Sequence, residues 1–251
     1  MTPERQPGEE AKEMSFIGHL TELRARLIKS LVGVVAACLA AWNLAEPILN
    51  FVLRPVLKVL PEGQSLIFTG LQDAFLITLK VSLWAGVMLS SPWWLYQLWA
   101  FVAPALKPGE KKMAVPLAAL AFILLLAGAA FAYFLAFPLA FQFFIGFSSE
   151  ALTPLLAVDR YCSLALSLIL AFALAFQLPL ALMFLERLGL IEAATLRRHR
   201  RYAILLAFIL GAVMTPPDVV SQVLLAGALL LLYELSILLM GRKSAPGEES
   251  A

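Results

Sequence analysis

The sequence predicts an all-α, polytopic membrane protein: six transmembrane helices in one bundle, both termini on the cytoplasmic side. Three observations carry this. Hydrophobic residues make up 61% of the 251-residue chain and charged ones 14%, and a mean hydropathy of +0.87 exceeds what a water-covered surface accommodates. Apolar runs of about 20 residues, enough for a helix to cross a bilayer, alternate with short charged turns. The clearest turn is residues 99–112, WAFVAPALKPGEKK, which sets Glu110, Lys107, Lys111 and Lys112 between two segments too apolar for water. About six spans with their turns fill the chain and leave no room for a soluble enzyme domain.

Residues 1–13, MTPERQPGEEAKE, are polar, acidic and carry two prolines. They predict a disordered tail and not the basic start of a cleavable signal peptide. The span domain covers 14–243, and 244–251 is a second disordered tail. At 16–27, FIGHLTELRARL, the residues Phe16, Ile17, Leu20, Leu23 and Leu27 recur at helical spacing. This predicts an amphipathic helix lying along the interface before the chain enters the membrane. Its other face carries His19, Glu22 and Arg26; as a solvated face, its Glu–Arg pair at i,i+4 contributes only about 0.2–0.5 kcal/mol.

The first span is expected at 28–45. The connection at 46–70 is rich in apolar residues but interrupted by Pro47, Pro55 and Pro61, which predicts short interfacial helices forming a lid on one membrane face. The second span, 74–103, is longer than a perpendicular crossing requires, so it tilts, protrudes or kinks at Pro92. Lys80 near its outer end can snorkel, and Trp93, Trp94, Tyr96 and Trp99 form an aromatic belt. The third span is 113–137, followed by an external loop, 138–160, holding Glu150 and Asp159. The fourth, 161–185, places Gln177 beside Pro179, an amide near mid-membrane at a kink; such groups face a bundle interior or a wet cavity. A basic turn at 186–202 leads to 203–214, only 12 apolar residues, then TPPD at 215–218 and a sixth run, 219–240, containing Glu234.

Charge counting supports six spans. With both termini and the turns at 107–112 and 186–201 on one side, that side holds 15 of the 19 basic residues, leaving Arg54, Lys58, Lys80 and Arg160. By the positive-inside rule it is cytoplasmic. A re-entrant stub at 203–214 would put Arg242 and Lys243 outside, so 203–240 reads as a short hairpin around TPPD.

No catalytic residues, metal set or cofactor are expected: GxSxG, HExxH, paired intramembrane aspartates and a phosphate loop are all absent. Cys38 and Cys162 read as small apolar filler. Two functions remain open on the residues alone. One is a secondary transporter of a small solute, although no internal repeat is visible. The other is a receptor or scaffold for partner helices, which fits acidic groups at one interface and sparse polar groups within the spans.

The segments HLTELRARL (19–27), SPWWLYQLWAFVAPALKPGEKK (91–112), AFAYFLAFPLAF (130–141), AFALAFQLPLALMF (171–184) and MTPPDVVSQ (214–222) together resemble the TatC family of twin-arginine translocase subunits. The resemblance extends in order from about residue 15 to 240. It implies a glove-shaped six-span receptor in the bacterial inner membrane that recognises the paired arginines of signal peptides on folded proteins. With TatA, TatB and further TatC copies it would export them using the proton-motive force; nucleic acid is not a partner. The recognition carboxylates map onto Glu22 and Glu110, with His19, Arg24 and Phe101 beside them. Thr215, Asp218 and Gln222 map onto the edge that docks the TatA and TatB helices. Many relatives carry a glutamate where this chain has Gln177. Chemistry agrees with the recognition mapping: a guanidinium offers a carboxylate a rigid fork of donors that lysine cannot reproduce. Glu110 would also favour a helix start after Pro108, by about 0.3–1 kcal/mol.

Overall fold

The computed structural model describes residues 7–58, 66–102, 114–147, 156–215 and 218–241. The described residues are almost all helical: α1 (Pro7–Trp42), α2 (Ala45–Leu57), α3 (Asp73–Leu89), α4 (Ser91–Val102), α5 (Ala114–Phe131), a π-helical turn (Ala132–Ala136), α6 (Phe137–Ile145), α7 (Val158–Ala175), α8 (Leu178–Arg187), α9 (Ala193–Arg198), α10 (Arg200–Met214) and α11 (Val219–Gly241). Four continuous stretches are long and apolar enough to cross a membrane: Gly18–Trp42, Val115–Ile145, Val158–Arg187 and Val219–Met240. The pair α3 and α4, bent by 50°, is long and apolar enough for a fifth when the two are taken together. This is a multi-pass membrane protein. α10, at 15 residues, reaches only about 22 Å at 1.5 Å per residue, short of a hydrocarbon core of about 30 Å.

Helix α1 corrects the expectation of a separate interfacial helix. It runs unbroken through residues 27 and 28, because no proline or cap interrupts the i→i−4 ladder there, and Ser30 Oγ donates back to Arg26 O within it (3.0 Å). Leu20, Leu23 and Leu27 are exposed along its flank, continuous with the apolar surface of the span. The third span also runs further than expected. Pro138, taken as the start of a loop, lies at the beginning of α6. A proline inside a helix lacks a donor and crowds the carbonyl four residues back; the wider π turn just before it relieves that crowding and lets the helix continue.

The bends fall where prolines place them. The α3–α4 break is at Ser90, two residues before Pro92, and α7 gives way to α8 at residues 176–177, just before Pro179. α2 packs across one end of the bundle: Tyr161 donates to Val52 O (2.8 Å) and Tyr133 to Phe51 O (2.7 Å). The chain after α2 is pinned to the start of α7 by Ile67 N donating to Leu156 O and Val158 N to Ile67 O, both 3.0 Å. Lys80 has partners across the bundle. Its Nζ reaches Asp159 Oδ1 at 2.5 Å and Ser163 Oγ at 3.1 Å, joining α3 to α7, because Asp159 sits in the first turn of α7 and not in a loop. The core lies among α2, α3, the π turn, α6, α7 and α11, around Ile77, Val81, Phe137, Tyr161, Phe172 and Leu225.

Candidate functional site

The antiparallel packing of α1 on the α3–α4 pair decides which polar groups meet. Trp42 approaches Phe75 at one end (centroids 6.0 Å) and His19 stacks on Phe101 at the other (4.4 Å, 19° between planes). Two glycines permit the close approach. A Cβ on Gly33 would lie 2.5 Å from Trp93 Cδ1, and one on Gly86 would lie 2.5 Å from the Cys38 Cα. Trp93 Nε1 then donates to Lys29 O (2.9 Å), fixing α4 in register along α1.

At the His19–Phe101 end, Arg26 Nε and Nη2 both donate to Glu22 Oε1, at 2.9 and 2.7 Å. Arg26 Nη1 reaches Gln97 Oε1 on α4 at 3.4 Å. Gln97 is buried, while the Glu22 and Arg26 side chains remain 38% and 25% exposed. Among the described residues, no donor reaches Glu22 Oε2. The corner therefore offers a partly exposed carboxylate oxygen beside an aromatic stack, chemistry suited to a guanidinium. Arg24 is exposed on the same helix. Of the site residues named from sequence, the structure brings His19, Glu22 and Phe101 together, with Arg26; Glu110 lies outside the described residues. Gln97 was missed, although an amide within the apolar run WLYQLWAF was its signal.

The other named residues are engaged elsewhere. Gln177 Nε2 donates to Ala121 O (2.9 Å), tying the α7–α8 break to α5. Thr215 is buried and its Oγ1 donates to Gly211 O on its own helix (2.8 Å). Gln222 Nε2 donates to Phe208 O across the hairpin (3.1 Å). Asp218 Oδ1 accepts from Ser221 N (2.7 Å), capping α11. Asp218 Oδ2 and Ser221 Oγ are buried without a hydrogen-bond partner. Among the described residues, no group of three or more His, Cys, Asp or Glu side chains could hold a metal ion.

Residues 18–227 match the family model TatC, described as Sec-independent protein translocase protein. The chain is 40% identical over 245 residues to a Sec-independent protein translocase protein TatC of Desulforapulum autotrophicum, covering 96% of this chain and 91% of the relative. It is 37% identical over 222 residues to that of Escherichia coli, covering 88% and 86%. The fold is similar to a crystal structure described as twin arginine translocase receptor TatC, with a TM-score of 0.81 and 41% identity over 89% of this chain and 98% of that one.

Proposed function

The chain belongs to the TatC family of Sec-independent protein translocase proteins, and we propose that it is the receptor that captures paired-arginine signal peptides of folded proteins at its cytoplasmic face. In this reading it forms one six-span domain over 14–243 in the inner membrane, flanked by tails at 1–13 and 244–251, with α10 and α11 as the last two spans and both termini cytoplasmic. Glu22 and Glu110 each take one guanidinium, the His19–Phe101 stack forms an adjacent wall, and Arg24 contributes to the same face. The observation that carries the reading is the half-exposed Glu22 carboxylate, held beside that stack with one oxygen unoccupied among the described residues.

The edge made by α10 and α11 docks the single helices of TatA and TatB. What favours it is an apolar outer face, with Leu205, Ile209 and Val213 of α10 and Val219 of α11 exposed. Thr215, Asp218 and Gln222 set the shape of that edge from inside. Dispersion and close packing drive helix association in lipid, so an apolar face serves where a hydroxyl is already committed. Further TatC copies complete the complex.

The test is capture of a fluorescent peptide bearing two adjacent arginines by the full chain in nanodiscs. Glu22→Ala and Glu110→Ala should each weaken binding by about 1.5–3 kcal/mol, the range for a hydrogen bond to a charged group, with normal membrane insertion. Wild-type affinity in both variants would overturn the assignment.

A further inference from the structure

Glu22 is already bound to a guanidinium, and it belongs to Arg26 of the same helix. Resting on the receptor reading above, we propose that Arg26 is an internal competitor for the peptide's arginine, displaced from Glu22 onto Gln97 when the peptide docks. Three features of the geometry lead here. Two Arg26 donors converge on one oxygen, Glu22 Oε1, which spends two of the five guanidinium N–H groups and leaves Oε2 unoccupied among the described residues. The third contact, Nη1 to Gln97 Oε1 at 3.4 Å, is too long for a good hydrogen bond, so that buried acceptor has capacity in reserve. Arg26 already spans from Glu22 to Gln97 across the α1–α4 seam, so a rotation of its long side chain exchanges one partner for the other without moving a helix.

Electrostatics sets the consequence. While Arg26 is paired, it offsets the charge of Glu22, and the carboxylate attracts stray cations weakly. An incoming guanidinium approaches Oε2 first and shares the carboxylate; as Arg26 leaves, the newcomer gains Oε1 as well, and Gln97 keeps the displaced charge hydrogen-bonded instead of stranded. The displacement cost falls on every cationic ligand alike. It holds a peptide of paired lysines, which lacks the planar fork, below useful occupancy, while paired arginines still bind.

The experiment measures Kd for paired-arginine and paired-lysine peptides on the full chain in nanodiscs, for wild type, Arg26→Gln, Gln97→Leu and the double variant. An exposed i,i+4 pair shifts an equilibrium by about twofold and a charge-assisted bond by about tenfold or more. This half-exposed pair falls between, so Arg26→Gln should tighten both peptides by about fivefold. Gln97→Leu should weaken binding in the wild-type background and do nothing further in the Arg26→Gln background. Weaker or unchanged binding in Arg26→Gln overturns the competitor role, and equal losses from Gln97→Leu in both backgrounds overturn the transfer. Arg26→Lys, which keeps the charge without the fork, guards against misfolding and should tighten binding less than Arg26→Gln. Failure of the receptor reading looks different: Glu22→Ala would then bind both peptides as wild type does.

Discussion

Among the described residues, the α1–α4 corner and the α10–α11 hairpin each hold a carboxylate with one oxygen unpartnered, yet the two are in opposite situations. Glu22 is half-exposed, with Oε1 taken by Arg26 and Oε2 open. Asp218 spends Oδ1 on the α11 cap, and its Oδ2 is buried without a hydrogen-bond partner, as is the Ser221 hydroxyl. An open acceptor that water or a ligand can reach is a docking point. A buried one is a cost to stability. The hairpin's other polar groups are satisfied at home, Thr215 on Gly211 and Gln222 on Phe208. So are the buried serines of the bundle, Ser82 on Thr78 and Ser236 on Leu232. Polar residues near a membrane are thus sorted less by type than by where their hydrogen bonds go.

The sharpest way to break this comparison is the same chemical change at both carboxylates. Glu22→Gln removes the charge from an open acceptor and should raise the Kd for a paired-arginine peptide by about tenfold to a hundredfold. Asp218→Asn keeps a good helix cap, since asparagine caps as well as aspartate, and removes charge from a buried site. Peptide Kd should stay at the wild-type value and thermal stability should hold or rise. A large binding loss in Asp218→Asn would mean that the hairpin belongs to the recognition site.

Gln177 sharpens the same contrast at smaller amplitude. Its amide links the α7–α8 break to α5, so Gln177→Leu should cost about 0.6–1.7 kcal/mol, the range for interhelical hydrogen bonds in bilayers. Thermal unfolding in nanodiscs would read this, with peptide affinity unchanged. The smallest effect is expected from Thr215→Val, which loses the hydroxyl's bond to Gly211 O on its own helix; a shift beyond about 0.5 kcal/mol would show that the hydroxyl does more than pair locally.

The sequence made much of the architecture legible, for identifiable reasons. Prolines announced the bends at residues 90 and 176–177, and prolines amid apolar residues announced α2 as a short helix instead of a span. The same signal misled at Pro138, because a π turn absorbs a proline without ending the helix and leaves no composition of its own. The break expected near residue 27 was inferred from a polar face, and a polar face does not stop a helix. Lys80 was read alone because Asp159 lies 79 positions away. The candidate site was legible in half: HLTELR and the Phe101 segment pointed to His19, Glu22 and Phe101 through resemblance, and the Arg26 pair through i,i+4 spacing. The Gln97 contact, 71 residues from Arg26, depends on the glycine-permitted register of α1 against α4, which local pattern does not encode.

The measurement that bears most directly on the account is the footprint of the bound peptide. A photo-crosslinker placed beside the two arginines of a signal peptide, with attachment sites mapped by mass spectrometry on the full chain in native membranes, reads which region it touches. Label is expected on residues 19–26 and 97–101. Label concentrated on residues 205–222, with the corner unmodified, would contradict it.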